Sequence, residues 1–198
     1  MSTVDVEVVA FDLMDTLVRD PFREALTAAT GRALEDLFAL RDLNAYPALE
    51  RGEIDEATYW GTYEQAGIEV DPGVFHRVRL EETCWLDGMT DLLGDLRRSG
   101  VTVVVASNYP TWIDHLADTL LDGHVDGVHA SCHFGVRKPE SAFYERLVTA
   151  TSCHPGAVAF VDDREVNVAA ARESGLRATL ATDAASLRRR LADWGCRV

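Results

Sequence analysis

Short runs of apolar residues alternate along most of the chain with longer stretches in which apolar residues recur every three or four positions. The short runs predict strands buried on both faces, as in a parallel sheet, and the longer stretches predict amphipathic helices that cross between the strands. Strands are expected over residues 6–11, 101–106, 125–130, 158–161 and 178–181, and helices over residues 88–99, 111–122, 140–150, 165–174 and 184–194. The pattern predicts an α/β fold with a Rossmann-like parallel sheet.

Residues 20–86 break this alternation, because they contain helical patterns but no strand-like run. Helices are expected over residues 22–30, 33–42, 55–65 and 72–82, separated by Pro21, Pro47, Gly52, Gly67 and Pro72. The simplest organisation is an α/β core formed by residues 1–19 and 87–198, with a small helical cap, residues 20–86, inserted after the first strand.

Composition narrows the range of partners. The net charge of −14 argues against nucleic acid or an anionic membrane as the main partner, and no run of about 18 apolar residues predicts a membrane span. The opening residues MSTVDVEVVAFD carry no basic segment, so we expect a first strand there rather than a signal peptide. The four cysteines are scattered without a C-x-x-C pair, which favours a reduced, cytoplasmic protein without structural zinc.

Polar residues with chemical potential stand where the predicted strands end. They are Asp12 after the first strand, Ser107 and Asn108 after the second, Lys138 before the helix of the third unit, and Asp162 and Asp163 after the fourth. Because the carboxyl ends of parallel strands share one edge, these groups should converge. Mg²⁺ would relieve the repulsion between the carboxylates and help to bind a phosphate, which a carboxylate could then attack to form an acyl phosphate.

This ordered set resembles the haloacid dehalogenase (HAD) superfamily, whose members are mostly Mg²⁺-dependent phosphatases, from Val8 to about Gly175. The resemblance implies that Asp12 is the nucleophile and that Ser107, in VVVASN, binds the phosphoryl oxygens. It implies that Lys138, in GVRKPES, balances the negative charges, and that Asp163, in FVDDREVN, binds the metal.

Further positions complete the predicted site. Asp162 and Asn167 occupy places where the family often keeps auxiliary metal ligands, and Asp162 is included in the predicted metal set. Thr16 and Asn108 are predicted to help bind substrate. Asp15 is either a turn residue or a catalytic one, and it is included among the catalytic candidates.

Lys138 is the only lysine of the chain, against 18 arginines. A compact ammonium fits between two anions where a planar guanidinium would be too wide. This supports a functional role for Lys138.

The sequence departs from the family pattern two residues after Asp12, where most family phosphatases have an aspartate that protonates the leaving group. Met14 stands there and cannot transfer protons, although its backbone carbonyl can still bind the metal. Three explanations stay open: a phosphatase with a replacement acid from Asp15, the cap or water; a non-phosphatase hydrolase such as a 2-haloacid dehalogenase; or a catalytically weak ligand-binding member. The segment FDLMDTLVRDPF is similar to a branch with an F-D-V-M-D-T-type motif that includes flavin mononucleotide (FMN) phosphatases.

The cap is rich in aromatic residues, which either stack on a flat substrate ring or form the cap's own core, the interpretation we favour. They are Tyr46, Tyr59, Trp60, Tyr63, Phe75 and Trp85. Arg19, Arg23 and Arg51 are candidate phosphate-side or cap-lining contacts. The sequence thus predicts a cytoplasmic hydrolase that acts on a small phosphorylated molecule, FMN being one candidate, through an aspartyl-phosphate.

Overall fold

The computed structural model describes residues 5–198, so the part of the N-terminal prediction that concerns residues 1–4 lies outside it. Five parallel strands form one sheet in the order β3-β2-β1-β4-β5. Their bounds are β1 Val8–Phe11, β2 Thr102–Ser107, β3 Gly127–Ala130, β4 Val158–Asp162 and β5 Arg177–Leu180. The predicted α/β fold class with a Rossmann-like parallel sheet is confirmed.

Six helices belong to the part of the chain that follows residue 86. They are α6 Met89–Arg98, α7 Ile113–Asp118, α8 Ser131–Phe134, α9 Ser141–Thr151, α10 Glu165–Glu173 and α11 Ala184–Asp193, and a short 3₁₀ helix covers Pro155–Ala157. Helix α7 is shorter than predicted, and α8 was not predicted because four residues give no readable helical period.

Residues 20–86 contain five helices. They are α1 Phe22–Thr30, α2 Leu34–Leu40, α3 Ala45–Glu50, α4 Glu56–Gln65 and α5 Pro72–Glu82. The sequence did not predict α3, where Pro47 suggested a break; the proline lies in the first turn, which tolerates it. The segment enters and leaves through adjacent extended stretches, with the Arg19 amide donating to the Cys84 carbonyl at 2.9 Å and the Leu86 amide to the Leu17 carbonyl at 2.9 Å.

Both faces of the sheet are buried. Successive residues of β1 point to opposite sides, so Val9 and Phe11 join one apolar cluster while Val8 and Ala10 join the other. The first cluster continues into the helices of residues 22–82 through residues such as Leu26 and Phe75. The inserted helices therefore share one continuous apolar cluster with one face of the sheet.

Within residues 5–198 there is no helix with the length and apolar character needed to cross a bilayer.

Candidate active site

Lys138 lies at the centre of a buried ionic cluster at the carboxyl edge of the sheet. Its Nζ donates to Asp12 Oδ1 at 2.7 Å, to Asp162 Oδ2 at 2.6 Å and to the Ala106 carbonyl at 2.9 Å. An ammonium has three protons, so these acceptors use all of them and fix the direction of each. The side chain is only 1% exposed, and the cluster therefore holds a positive charge in a fixed place beside Asp12.

Asp12 and Lys138 shift each other's pKa. Burial raises the pKa of Asp12, which Lys138 opposes and Asp162 reinforces, while a hydrogen bond from Ser107 favours the ionised form. Burial alone would lower the pKa of Lys138, but the carboxylates of Asp12 and Asp162 raise it. The arrangement keeps Lys138 charged beside a carboxylate that burial alone would tend to neutralise.

Asp162 is fully buried, and both of its carboxylate oxygens are engaged. Oδ1 accepts from the Arg164 amide at 2.9 Å and from Asn167 Nδ2 at 2.9 Å, while Oδ2 accepts from Lys138. These contacts favour a role in orienting Lys138. The predicted role of Asp162 as a metal ligand stays a prediction.

Asn108 holds the backbone of Lys138 at two points. Its Nδ2 donates to the Lys138 carbonyl at 2.9 Å, and its Oδ1 accepts from the Lys138 amide at 2.8 Å. Both ends of its amide group are thus committed to positioning the lysine, whereas the predicted substrate contact stays a prediction. The other predicted substrate-binding residue, Thr16, is 1% exposed, and its hydroxyl has no hydrogen-bond partner in the described part of the chain.

The loop after β1 contains a left-handed residue. Asp15 has φ 55°, a conformation that glycine adopts freely and that aspartate tolerates better than most residues. Its amide donates to the Val18 carbonyl at 2.7 Å, and its Oδ1 accepts from the Asp20 amide at 3.1 Å. The turn interpretation of Asp15 therefore has identified contacts, while its catalytic role stays a prediction.

Three carboxylates, Asp12, Asp162 and Asp163, each offer an oxygen, and these atoms lie within 4.8 Å of one another. Burial and the neighbouring Asp12 and Asp162 raise the pKa of Asp163 to about 6. Asn167 adds a further oxygen, because its Oδ1 is buried and has no hydrogen-bond partner within residues 5–198. Such a set of oxygen donors suits a hard divalent cation.

A cavity of about 150 Å³ opens beside these groups. Its lining includes all but Thr16 and Asp162 of the predicted site residues, together with residues that the sequence did not single out. The latter are Asp20, Glu50, Arg137 and Arg164. Arg137 and Arg164 adjoin predicted site residues in the chain, and that adjacency was the available signal; nothing in the local sequence marked Glu50.

The arginines proposed from the sequence lie elsewhere. Arg19 pairs with Glu24 and Glu82, and Arg51 pairs with Glu140 at 2.9 Å. Within the described residues, Arg19, Arg23 and Arg51 are not part of the lining of this cavity.

Most of the aromatic residues in the inserted helices are buried among themselves. Tyr59, Trp60, Tyr63 and Phe75 are at most 5% exposed, and Trp60 stacks on Trp112 from the α/β part, with ring centroids 6.1 Å apart. They form packing contacts, in line with the favoured interpretation.

Comparison with known proteins now identifies the family. A sequence model of the haloacid dehalogenase-like hydrolases matches residues 6–175. The protein therefore belongs to this family, and the prediction that it is a HAD-type hydrolase is confirmed.

Two relatives of known activity extend over most of the chain. It is 31% identical over 192 residues to the chloroplastic flavin mononucleotide hydrolase 1 of Arabidopsis thaliana, covering 96% of this chain and 78% of that one. It is 30% identical over 161 residues to the sesquiterpene phosphatase astK of Aspergillus oryzae, covering 76% and 79%.

Solved structures share the fold at lower identity. A HAD family enzyme of Bacteroides thetaiotaomicron superimposes with a TM-score of 0.78 at 20% identity, covering 94% of this chain and 100% of that one. That enzyme has also been solved in complex with magnesium and inorganic phosphate, with a TM-score of 0.73 at 20% identity, covering 90% and 96%. The L-2-haloacid dehalogenase of Xanthobacter autotrophicus matches with a TM-score of 0.63 at 18% identity, covering 95% and 83%.

Proposed function

We propose that this protein is a magnesium-dependent phosphatase that hydrolyses a small phosphate monoester through an aspartyl-phosphate on Asp12. The observation that carries the proposal is the buried ion pair of Asp12 with Lys138, beside Ser107 and at the edge of a cavity. Such a pair combines a carboxylate nucleophile with a fixed positive charge for the incoming phosphoryl group. The phosphatase names of the two curated relatives support it.

In this mechanism an oxygen of Asp12 attacks phosphorus while Lys138 offsets the combined negative charge of carboxylate and phosphoryl group. Lys138 acts mainly as a fixed charge, because its three protons are already directed to Asp12, Asp162 and Ala106. In this mechanism Ser107 donates to the phosphoryl oxygens, and the two hydrogen bonds of Asn108 hold the Lys138 backbone in place.

The predicted metal ligands are Asp12, the Met14 carbonyl, Asp162 and Asp163. The full engagement of Asp162 favours Asp12 and Asp163 as the carboxylate ligands, and the unpartnered Asn167 Oδ1 is a further oxygen for the metal or its water. When bound, Mg²⁺ would neutralise charge on the phosphoryl oxygens.

The cavity also bears on the substrate. Its volume of about 150 Å³ is below the roughly 300–1,000 Å³ of sites that enclose drug-sized ligands. It suits the phosphoryl group and the first atoms of the leaving group, so the rest of an FMN-sized substrate would need to extend out of the cavity. Small phosphorylated metabolites and FMN are therefore both substrates to test.

The test is a phosphate-release screen over small phosphorylated metabolites and FMN, with and without Mg²⁺. We expect Mg²⁺-dependent turnover that falls by about 10⁴-fold or more in Asp12→Asn, as for other covalent nucleophiles. Asp193→Asn, the same change on an exposed helix position, is the control and should keep full activity.

The alternatives give different results. Unchanged turnover in Asp12→Asn would contradict covalent catalysis at this residue. Halide release from 2-haloacids in excess chelator would instead support the dehalogenase alternative, and substrate binding without turnover would support a ligand-binding member.

A further inference from the structure

Met14 leaves the cavity without the acid that its family usually has two residues after the nucleophile. Besides Asp12 and Asp163, however, the cavity is lined by three further acids, Asp15, Asp20 and Glu50. Expulsion of an alkoxide from phosphorus is slow unless a group protonates it. One of these acids could therefore take over proton transfer.

Glu50 is the most firmly held of the three. It is 5% exposed at the end of α3, and its Oε2 lies 2.5 Å from Arg137 Nη2, the neighbour of Lys138 in the chain. Its backbone carbonyl accepts from Ser131 Oγ at 2.5 Å. Side chain and backbone thus both contact the segment that leads into Lys138.

The other two acids are committed to backbone contacts. Asp15 Oδ1 accepts from the Asp20 amide, and Asp20 Oδ1 accepts from the Phe22 amide at 3.0 Å, where α1 begins. Asp15 is also exposed to solvent. Burial raises the pKa of Asp20, so these two acids differ from Glu50 in geometry: each accepts from a backbone amide between β1 and the start of α1.

Glu50 faces the cavity from the side opposite to the groups at the sheet edge. In phosphoryl transfer the attacking and leaving oxygens lie roughly in line on opposite sides of phosphorus. Asp12 attacks from the end of β1, so the leaving oxygen faces the inserted helices. Glu50 lines the cavity from α3, on that side.

We propose that Glu50 is the general acid and base of the reaction, in place of the aspartate that Met14 replaces; this rests on the proposed phosphatase function. In the first step Asp12 forms a bond to phosphorus, the bond from phosphorus to the leaving oxygen breaks, and Glu50 gives its proton to that oxygen. In the second step water attacks phosphorus and gives a proton to Glu50, and the bond to Asp12 breaks. Inorganic phosphate leaves, and both side chains return to their first states.

The charges around Glu50 agree with this role. Burial raises its pKa to about 7, although Arg137 and Lys138 oppose the shift and Asp12 adds to it. Burial raises the pKa of the phenols of Tyr46 and Tyr59, and the nearby charge of Glu50 adds to both shifts. A carboxyl that titrates near neutral pH can both give and take a proton under working conditions.

The experiment compares leaving groups in Glu50→Gln, with kcat/KM measured on an alkyl phosphate and on an activated aryl phosphate. For the alkyl ester we expect a fall of about 10²–10⁴-fold, the typical contribution of a general acid. For the aryl ester kcat/KM should change by only a few-fold, because its leaving group needs no proton. Its kcat should fall, with a burst of released phenol, because hydrolysis of the aspartyl-phosphate lacks its base.

Glu140→Gln is the matched control, because Glu140 also pairs with an arginine between the inserted helices and the Lys138 segment, but outside the cavity. It should leave both substrates unaffected. An equal fall for both esters in Glu50→Gln would overturn the proposal and indicate a structural role. No fall for either ester would also overturn it. Either result, with Asp12→Asn still inactive, would leave the phosphatase function standing; a wild-type protein that releases no phosphate would refute that function itself.

Discussion

The sheet side of the cavity and its cap side hold their charged groups in different ways. On the sheet side, Asp12, Lys138 and Asp162 come from strand ends or the loop beside them, and each contacts another member of the set. On the cap side, Glu50 and Arg137 form a pair that exists only because α3 packs against the segment after β3. The first group is fixed by the topology of the sheet, and the second depends on how an insertion docks.

The largest effect is expected from Lys138→Met, which removes the shared partner of two buried carboxylates. Breaking a buried ion pair on one side costs about 3–5 kcal/mol of unfolding free energy. Urea unfolding at pH 8 measures it, with Arg77→Met as the control, since Arg77 forms an exposed helical pair with Glu81. The control should change stability by less than about 0.5 kcal/mol.

The cost of Lys138→Met should also shrink as the pH falls. Burial raises the pKa of Asp12, and without Lys138 its main opposing charge is lost. A raised pKa in the folded state means that proton uptake stabilises the fold at low pH and that this contribution is lost as the pH rises. An equal cost at pH 5.5 and pH 8 would contradict the idea that the carboxylates depend on Lys138 for their charge.

This contrast also explains what the sequence could reveal. Asp12, Ser107 and Asp163 were recognisable because each follows an apolar run, and parallel topology then brings strand ends to one edge. Lys138 was singled out from its place before the helix of the third unit, and the family resemblance gave it a role. The fold class and the hydrolase family were predictable for the same reason.

The rest depended on contacts between segments distant in the chain. Helix α3 contains Pro47, which the local pattern marked as a break, so the position of Glu50 could not be inferred. The two-point contact of Asn108 with the Lys138 backbone is likewise a tertiary feature, since the same residue is an ordinary turn former. Local sequence therefore predicts the residues of the sheet side of the site far better than those of its cap side.

The next largest effect concerns the pH dependence of stability through Glu50. The pKa of Glu50 in the folded protein is about 7, above its ordinary value of 4.5. Its contribution to stability is therefore fully present below about pH 4.5 and is lost as the pH rises through 7. Between pH 5 and pH 8, the free energy of unfolding of Glu50→Gln should therefore rise relative to that of the wild type by roughly 1–3 kcal/mol.

Urea unfolding in chelator measures this gain without any contribution from bound metal. Glu140→Gln, the matched change at a more exposed carboxylate, should show no such drift. A constant difference between Glu50→Gln and wild type over this range would mean that Arg137 keeps Glu50 charged throughout.

A smaller loss is expected from Ser131→Ala, which tests how the cap side is anchored. The fully buried Ser131 hydroxyl donates to the Glu50 carbonyl at 2.5 Å and accepts from the Tyr109 amide at 3.0 Å. Leaving such groups unpaired costs about 1–3 kcal/mol. Ser174→Ala removes a single hydrogen bond, from the Ser174 hydroxyl to the Ala170 carbonyl at the end of α10. This control should lose less unfolding free energy. Equal losses in the two variants would show that Ser131 does not anchor Glu50.

The smallest effect should come from the ion pair of Arg51 with Glu140. Arg51 directly follows Glu50 in the chain. The two side chains of the pair are 27% and 43% exposed, so water and salt screen the 2.9 Å contact. A double-mutant cycle with Arg51→Gln and Glu140→Gln should give a coupling of about 0.2–1 kcal/mol that decreases in high salt. A larger coupling that salt does not reduce would mean that the Arg51–Glu140 pair is held as firmly as the ion pairs of the sheet side. The inserted helices would then be anchored mainly by this exposed pair rather than by Glu50 and Ser131.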